Sequence, residues 1–333
     1  MTFKNDWEKP SARLLVDEST VFGMVAQAWP DADLISHHVI EGGCANLNVH
    51  LVFHKSNTAP EQCILRIYLR DRDAACREQK LSLLVHHKIP VSQIFFVGGY
   101  GEFRYALVEY LPGITLRALL LDHQDEYTEG GMKDLLNECG RMLGIFQTFP
   151  FPQGGFLDQE LEVTSPFTQK DLLTFVKECL TNEGVIKELG VERIHQISQL
   201  PLSCQDFFPD ETAHALVHGD YDPSNILVNK DDEGKWQISG ILDWEFAFSG
   251  SWLWDVANML RYAHHMPKIY EESFLQGIES SGLILPEHWR ETVSLLNLFS
   301  LLDCLKRCPQ DSFRQRKDIV DLISYLFQRL VVE

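Results

Sequence analysis

The chain has no apolar run approaching the roughly 18–20 residues that cross a bilayer, so no membrane span is expected. Residues Met1 to Trp7 are polar and charged, with no apolar signal segment behind them, and the expected location is cytoplasmic. Cysteine is sparse, with eight residues at positions 44, 63, 76, 139, 179, 204, 304 and 308 and none in a CxxC pair. A disulfide framework is the mark of small secreted chains, and no Cys or His spacing here matches a zinc site. Basic residues are in deficit, 29 against 48 acidic, for a net charge of −19. Such a field repels a nucleic-acid backbone and favours a cationic ligand, although solubility alone accounts for an acidic surface equally well. Neither nucleic acid nor membrane is therefore an expected partner. Gly-x4-Gly-Lys-Ser/Thr does not occur, which argues against a P-loop enzyme. Gly-x-Ser-x-Gly is absent too, so one class of serine hydrolase lacks its elbow. No internal repeat, low-complexity tract or long linker interrupts the sequence.

Apolar residues make up 45% of the 333, ample for a large core in one two-lobed unit or in two domains. The first third reads as short strands around one helix. Leu34 to Ile40 and Leu47 to Phe53 are partly alternating apolar runs on either side of the turn-forming residues 41–46, and Cys63 to Leu69 is a third strand. Asp73 to His87 carries helical spacing. Gln93 to Val97 and Phe103 to Tyr110 are two more strands, joined by the glycine-rich turn Gly98 to Gly101. Leu111-Pro112-Gly113 breaks the pattern and is the expected lobe boundary. Beyond it, residues 131–149, 167–189 and 288 onward read as helices with one apolar face. The exception is a hairpin, in which Ile226 to Asn229 and Trp236 to Asp243 flank the polar turn Lys230 to Lys235.

The two ends of that hairpin carry the most informative residues. One end reads Leu216-Val217-His218-Gly219-Asp220-Tyr221-Asp222-Pro223-Ser224-Asn225, the other Ile241-Leu242-Asp243-Trp244-Glu245. Hairpin ends meet, so Asp220, Asn225 and Asp243 can converge. A carboxylate that accepts a hydroxyl proton, beside hard oxygen donors for Mg²⁺, is what phosphoryl transfer requires. Asp220 suits the first role; Asn225 and Asp243 suit the second.

His-Gly-Asp, an Asn five residues later, then a hairpin and Ile-Leu-Asp-Trp resemble the catalytic segment of the aminoglycoside phosphotransferase and choline-kinase superfamily. The resemblance implies an α+β, two-lobed, protein-kinase-like fold, with a nucleotide-binding lobe over residues 1–111 and a catalytic lobe over 112–333. It implies Asp220 as catalytic base, Asn225 and Asp243 as magnesium ligands, and His218 and Asp255 as supports of the catalytic loop. By the same resemblance Gly42, Gly43 and Asn46 cover the phosphates, Arg66 paired with Glu78 reaches them from the third strand, and the Glu109 to Leu111 backbone meets the base. Protein kinases carry Lys where Arg66 stands, and Gln147 replaces a His common in relatives. The implied cofactors are ATP or GTP and Mg²⁺, and the implied partner is a small hydroxyl-bearing molecule. Asp222 and Glu245 are candidates for an amine on that molecule. Acceptor identity, nucleotide preference and oligomeric state leave no trace in the sequence. A kinase of another acceptor class and a non-catalytic nucleotide-binding protein are the alternatives.

Overall fold

The computed structural model describes Lys4, Trp7 and residues 16–40, 46–55 and 57–332. Helix α1 (Glu18–Ala28) opens on Asp17, whose side chain accepts the Thr20 N–H at 2.7 Å. Strands β1 (Leu34–Val39), β2 (Asn46–Phe53) and β3 (Gln62–Tyr68) follow, then α2 (Ala74–Val85), β4 (Ile94–Tyr100) and β5 (Phe103–Glu109). The five strands form one antiparallel sheet in the order β1-β2-β3-β5-β4. Burial alternates along β2, as expected of a strand with one dry face. Val21, Met24 and Val25 of α1 pack on that face with Leu47, Val49, Leu51, Leu65 and Ile67. On the opposite face α2 comes close because its first residues, Ala74 and Ala75, are small and fully buried.

The chain leaves the sheet through Leu111-Pro112-Gly113 into β6 (Ile114–Thr115), α3 (Leu116–Asp122) and α4 (Glu129–Phe146). Next come β7 (Gly155–Leu157), β8 (Val163–Pro166), α5 (Gln169–Leu180), α6 (Glu183–Ser203) and β9 (Ala215–Val217). The hairpin is β10 (Ile226–Lys230) and β11 (Trp236–Ile241), followed by β12 (Phe248–Gly250) and α7 (Leu253–Leu260). Helices α8 (Lys268–Ser280), α9 (Trp289–Arg307) and α10 (Phe313–Val332) complete the fold. Its class is α+β, a mainly antiparallel sheet followed by a helical bundle with a hairpin set into it. Helices α4 and α8 cross closely enough that a Cβ at Gly140 would run into the Phe274 carbonyl, and one at Gly277 into that of Asn137. Glycine is needed at that crossing.

The sequence reading, with one helix in the first third and one hairpin beyond it, did not mark α1 or the short strands β6, β7, β8 and β12, and three elements that it did mark differ in extent. β4 continues through Gly98, Gly99 and Tyr100, paired with Tyr105, Arg104 and Phe103, so the turn is only Gly101 and Glu102. The helix expected over residues 167–189 is two, because Asn182 caps a new helix by accepting the Gly184 and Val185 N–H groups at 2.9 and 3.2 Å. The C-terminal helix is likewise divided after Cys308, where Pro309 removes a backbone donor. No helix among the described residues is long and apolar enough to cross a membrane.

Candidate active site

The loop His218 to Asn225 joins β9 to β10, and the antiparallel register Ile226↔Ile241 brings its end beside Leu242 and Asp243. The Leu242 N–H donates to the Asn225 carbonyl at 2.8 Å, which closes the base of the hairpin. Three side chains hold the loop from beneath. Both Asp255 oxygens accept backbone N–H groups, from His218 at 2.8 Å and Gly219 at 2.9 Å. Asn258 donates to the Gly219 carbonyl at 2.9 Å. His218, fully buried, donates Nε2–H to the Leu242 carbonyl at 2.9 Å, so its Nδ1 is the acceptor for the Asp220 N–H at 3.2 Å. Burial lowers the His218 pKa, in keeping with that neutral tautomer. Gly219 has φ +83°, and a Cβ there would strike the Phe246 carbonyl.

Asp255 is itself fully buried, and burial pushes its carboxyl up to about 7 against the two N–H donors that favour the anion. Asp255→Asn places an amide NH₂ against one of those donors. It is expected to cost about 1–3 kcal/mol of stability through the orphaned group, read as a lower melting temperature, together with a loss of activity.

Asp220 is bonded at both oxygens. Asn225 Nδ2 donates to Oδ2 at 3.0 Å and to the Asp220 carbonyl at 2.9 Å, which leaves the Asn225 amide oxygen as a hard donor. Lys4 Nζ donates to Oδ1 at 2.9 Å and also pairs with Asp222. Burial alone would raise the Asp220 carboxyl; Lys4 and Arg261 more than offset it and hold the pKa below the usual range. Asp222 is buried and serves the loop, accepting both the N–H and the hydroxyl of Ser224. Its amine partner is thus supplied by the chain itself.

Across the cleft, Arg66 projects from β3 and its Nη2 reaches Glu78 at 3.1 Å and Asp243 at 2.5 Å. Glu78 is fixed in turn by the Tyr68 hydroxyl at 2.7 Å. Burial raises the Glu78 carboxyl despite Arg66. Asp243 adopts a left-handed backbone, φ 65° and ψ 61°, a conformation that strains most side chains and concentrates at functional positions. Asn46, at the start of β2, donates to Glu245 at 2.8 Å, and Glu245 lies 3.9 Å from Arg66. Glu245 therefore faces the Arg66–Asp243 cluster, apart from Asp222 and Lys4. Burial and Asp243 push it up to about 7, and its Oε1 is buried without a partner among the described residues. Glu109 accepts the Gln93 N–H at 3.0 Å, and Leu111 packs over Gly240 of β11. Gly42 and Gly43 lie outside the described residues.

Among the described residues no three His, Cys, Asp or Glu side chains form a metal site by themselves. The donor set of Asp243, the Asn225 amide oxygen and the orphaned Glu245 Oε1 nevertheless suits a hard cation, since Mg²⁺ commonly takes one or two carboxylates and completes its shell with phosphates and water. The sequence reading missed Lys4, 216 positions from Asp220, and no local pattern marks it. Arg261 and Asn258 were missed too, although both lie within six residues of Asp255.

A sheet with one braced helix, facing a hairpin whose ends carry these residues, is the architecture of kinase-like phosphotransferases. The Plasmodium vivax ethanolamine kinase superposes with a TM-score of 0.59 at 13% identity, over 95% of this chain and 89% of that one. An aminoglycoside-3'-phosphotransferase of type VIII superposes with a TM-score of 0.55 at 15% identity, over 84% and 98%. The AMP-bound spectinomycin phosphotransferase gives 0.56 at 11% identity, over 92% and 98%. No curated protein sequence matches. The family model for the phosphotransferase enzyme family matches residues 37–292; the chain belongs to that family and is a small-molecule kinase.

Proposed function

We propose that the protein transfers the γ-phosphoryl of ATP or GTP to a hydroxyl of a small molecule, with residues 1–111 forming the nucleotide lobe and 112–333 the catalytic lobe. The observation that carries this reading is the meeting of Asp220, Asn225 and Asp243 at the two ends of one hairpin, opposite Arg66. A neighbour of the same fold is AMP-bound, which supports a nucleotide as donor. Asp220 accepts the proton of the acceptor hydroxyl as its oxygen bonds to phosphorus and the bond to the nucleoside diphosphate breaks. His218, Asp255 and Asn258 keep the Asp220 backbone still while this happens, and fixed geometry is most of what such a reaction needs from a protein. Arg66, held by Glu78, places positive charge toward the phosphates. Asp243 and Asn225, with Glu245 beside them, would hold Mg²⁺, which neutralises charge on the triphosphate. An acceptor bearing an amine would reach Asp222 only by displacing Lys4.

Nucleoside diphosphate release tests the reading. ATP and GTP are offered separately with Mg²⁺ against aminoglycosides, amino alcohols, sugars and hydroxy acids. Acceptor-stimulated release is expected. Nucleotide binding with no stimulation by any acceptor would support the non-catalytic alternative instead.

Lys4 gives a prediction about pH. Lys4 is the larger of the two charges that hold the Asp220 carboxyl down, so Lys4→Met leaves the upward push of burial less opposed. The acid limb of the kcat/KM profile is expected to move to higher pH in that variant. An unmoved limb would show that Lys4 does not set the ionisation of the base.

A further inference from the structure

An open cavity of about 70 Å³ lies between α7, α8, α9 and α10. In a chain carrying 48 acidic and 29 basic residues, three arginines line it, Arg261, Arg290 and Arg329, against one acid, Glu271. Glu271 pairs with Arg290. Arg261 is only 3% exposed, yet its hydrogen bonds go to neutral groups. Its Nε donates to Asn297 Oδ1 at 2.9 Å, and its Nη2 to Asn258 Oδ1 at 2.5 Å and Ser300 Oγ at 3.2 Å. Arg329 touches the Tyr325 hydroxyl at 3.4 Å, and neither arginine pairs with a carboxylate among the described residues. His264 stacks on Tyr325 at 3.8 Å in the same wall, and burial beside His265 and Arg329 pushes its pKa down to about 4. At neutral pH it therefore adds a polar edge and no charge. Arg261 shares the Asp220 charge with Lys4, Arg329 has no carboxylate partner among the described residues, and the lining as a whole carries an excess of positive charge that favours an anion.

We infer that this cavity is a binding site for the anionic group, carboxylate or phosphate, of a small-molecule acid, with Arg261 and Arg329 as its principal donors. Guanidinium groups match the paired oxygens of both anions. The site is wired to the reaction centre. Asn258 accepts from Arg261 and donates to the Gly219 carbonyl, one residue before Asp220, so an anion on Arg261 bears directly on the catalytic loop. The inference stands on the cavity and its charges and does not rest on the phosphotransfer reading.

The test is calorimetric titration of the full-length chain, with and without saturating MgADP to occupy the nucleotide cleft. The probes are inorganic phosphate and malonate. Each is expected to bind at one site whether or not the cleft is filled. Arg329→Gln, on the part-exposed last turn of α10, is expected to weaken binding by about tenfold or more, the loss of one charge-assisted hydrogen bond. Glu271→Gln frees Arg290 and is expected to tighten binding, a gain that a purely structural role for these residues does not produce. Binding of phosphate alone would assign the site to a phosphate ester, and binding of both probes to acids in general. No binding of either probe, or binding indifferent to both substitutions, would overturn the inference. Turnover is not read in this experiment, so failure of the phosphotransfer reading would leave its result intact.

Discussion

Asp220→Asn is expected to lower acceptor-dependent turnover by about 10²–10⁴-fold, the usual contribution of a positioned proton acceptor, while leaving nucleotide affinity largely unchanged. The substitution is nearly isosteric. Asn225 still finds an oxygen at that position, and the loop is held by Asp255, Asn258 and His218 through backbone groups that the change does not touch. What is lost is a carboxylate that ionises readily because Lys4 and Arg261 face it. A second consequence separates this prediction from simple damage. Without the Asp220 charge, Lys4 meets an amide NH₂ in place of Oδ1 and keeps Asp222 as anionic partner, so a moderate loss of about 1–3 kcal/mol, read as a lower melting temperature, should accompany a collapse of turnover in protein that is still folded. Full activity in Asp220→Asn would remove the base from the mechanism.

Arg66→Met is expected to be costly in stability as well as in activity. Its guanidinium sits between Glu78 and Asp243 with 12% of the side chain exposed, and Glu78 is 8% exposed. Removing one partner of a buried pair leaves a charge without compensation, at about 3–5 kcal/mol. Burial already pushes the Glu78 carboxyl upward against Arg66, so in the variant it should take up a proton and recover part of that cost. Arg66→Met with Glu78→Gln is therefore expected to regain much of the lost melting temperature, since the buried charge is gone. Activity should stay low in the double variant, because no cation then points to the phosphates from β3. Recovery of both together would mean that Arg66 is only a structural counter-ion.

The hairpin and its two ends were legible because their signals are local. Alternating strands around a polar six-residue turn predict that residues 225 and 242 meet, and the structure closes that contact with a backbone hydrogen bond. The antiparallel sheet was legible for the same reason, each strand being an apolar run between turn residues. Where the reading failed, the deciding interaction was either a single capping residue or a contact distant in sequence. Asn182 divides a helix that apolar spacing alone continues. Glu245 is by sequence a candidate for an acceptor's amine, and Asn46, 199 residues away, holds it at the Arg66 cluster. Lys4 has no neighbouring motif, and its position follows from buried Trp7, whose indole N–H donates to Asp318 at 2.8 Å. Such pairings are set by tertiary packing, which periodicity does not encode.

Phosphorus NMR of the protein with MgATP, MgGTP and a mixture of candidate alcohols tests the central claim most directly, because it sees the product bond rather than nucleotide turnover. The expected result is a new phosphomonoester resonance that is removed by phosphatase and absent with Asp220→Asn. Inorganic phosphate as the only product, or an ester that forms equally well with Asp220→Asn, would contradict transfer to a hydroxyl at Asp220.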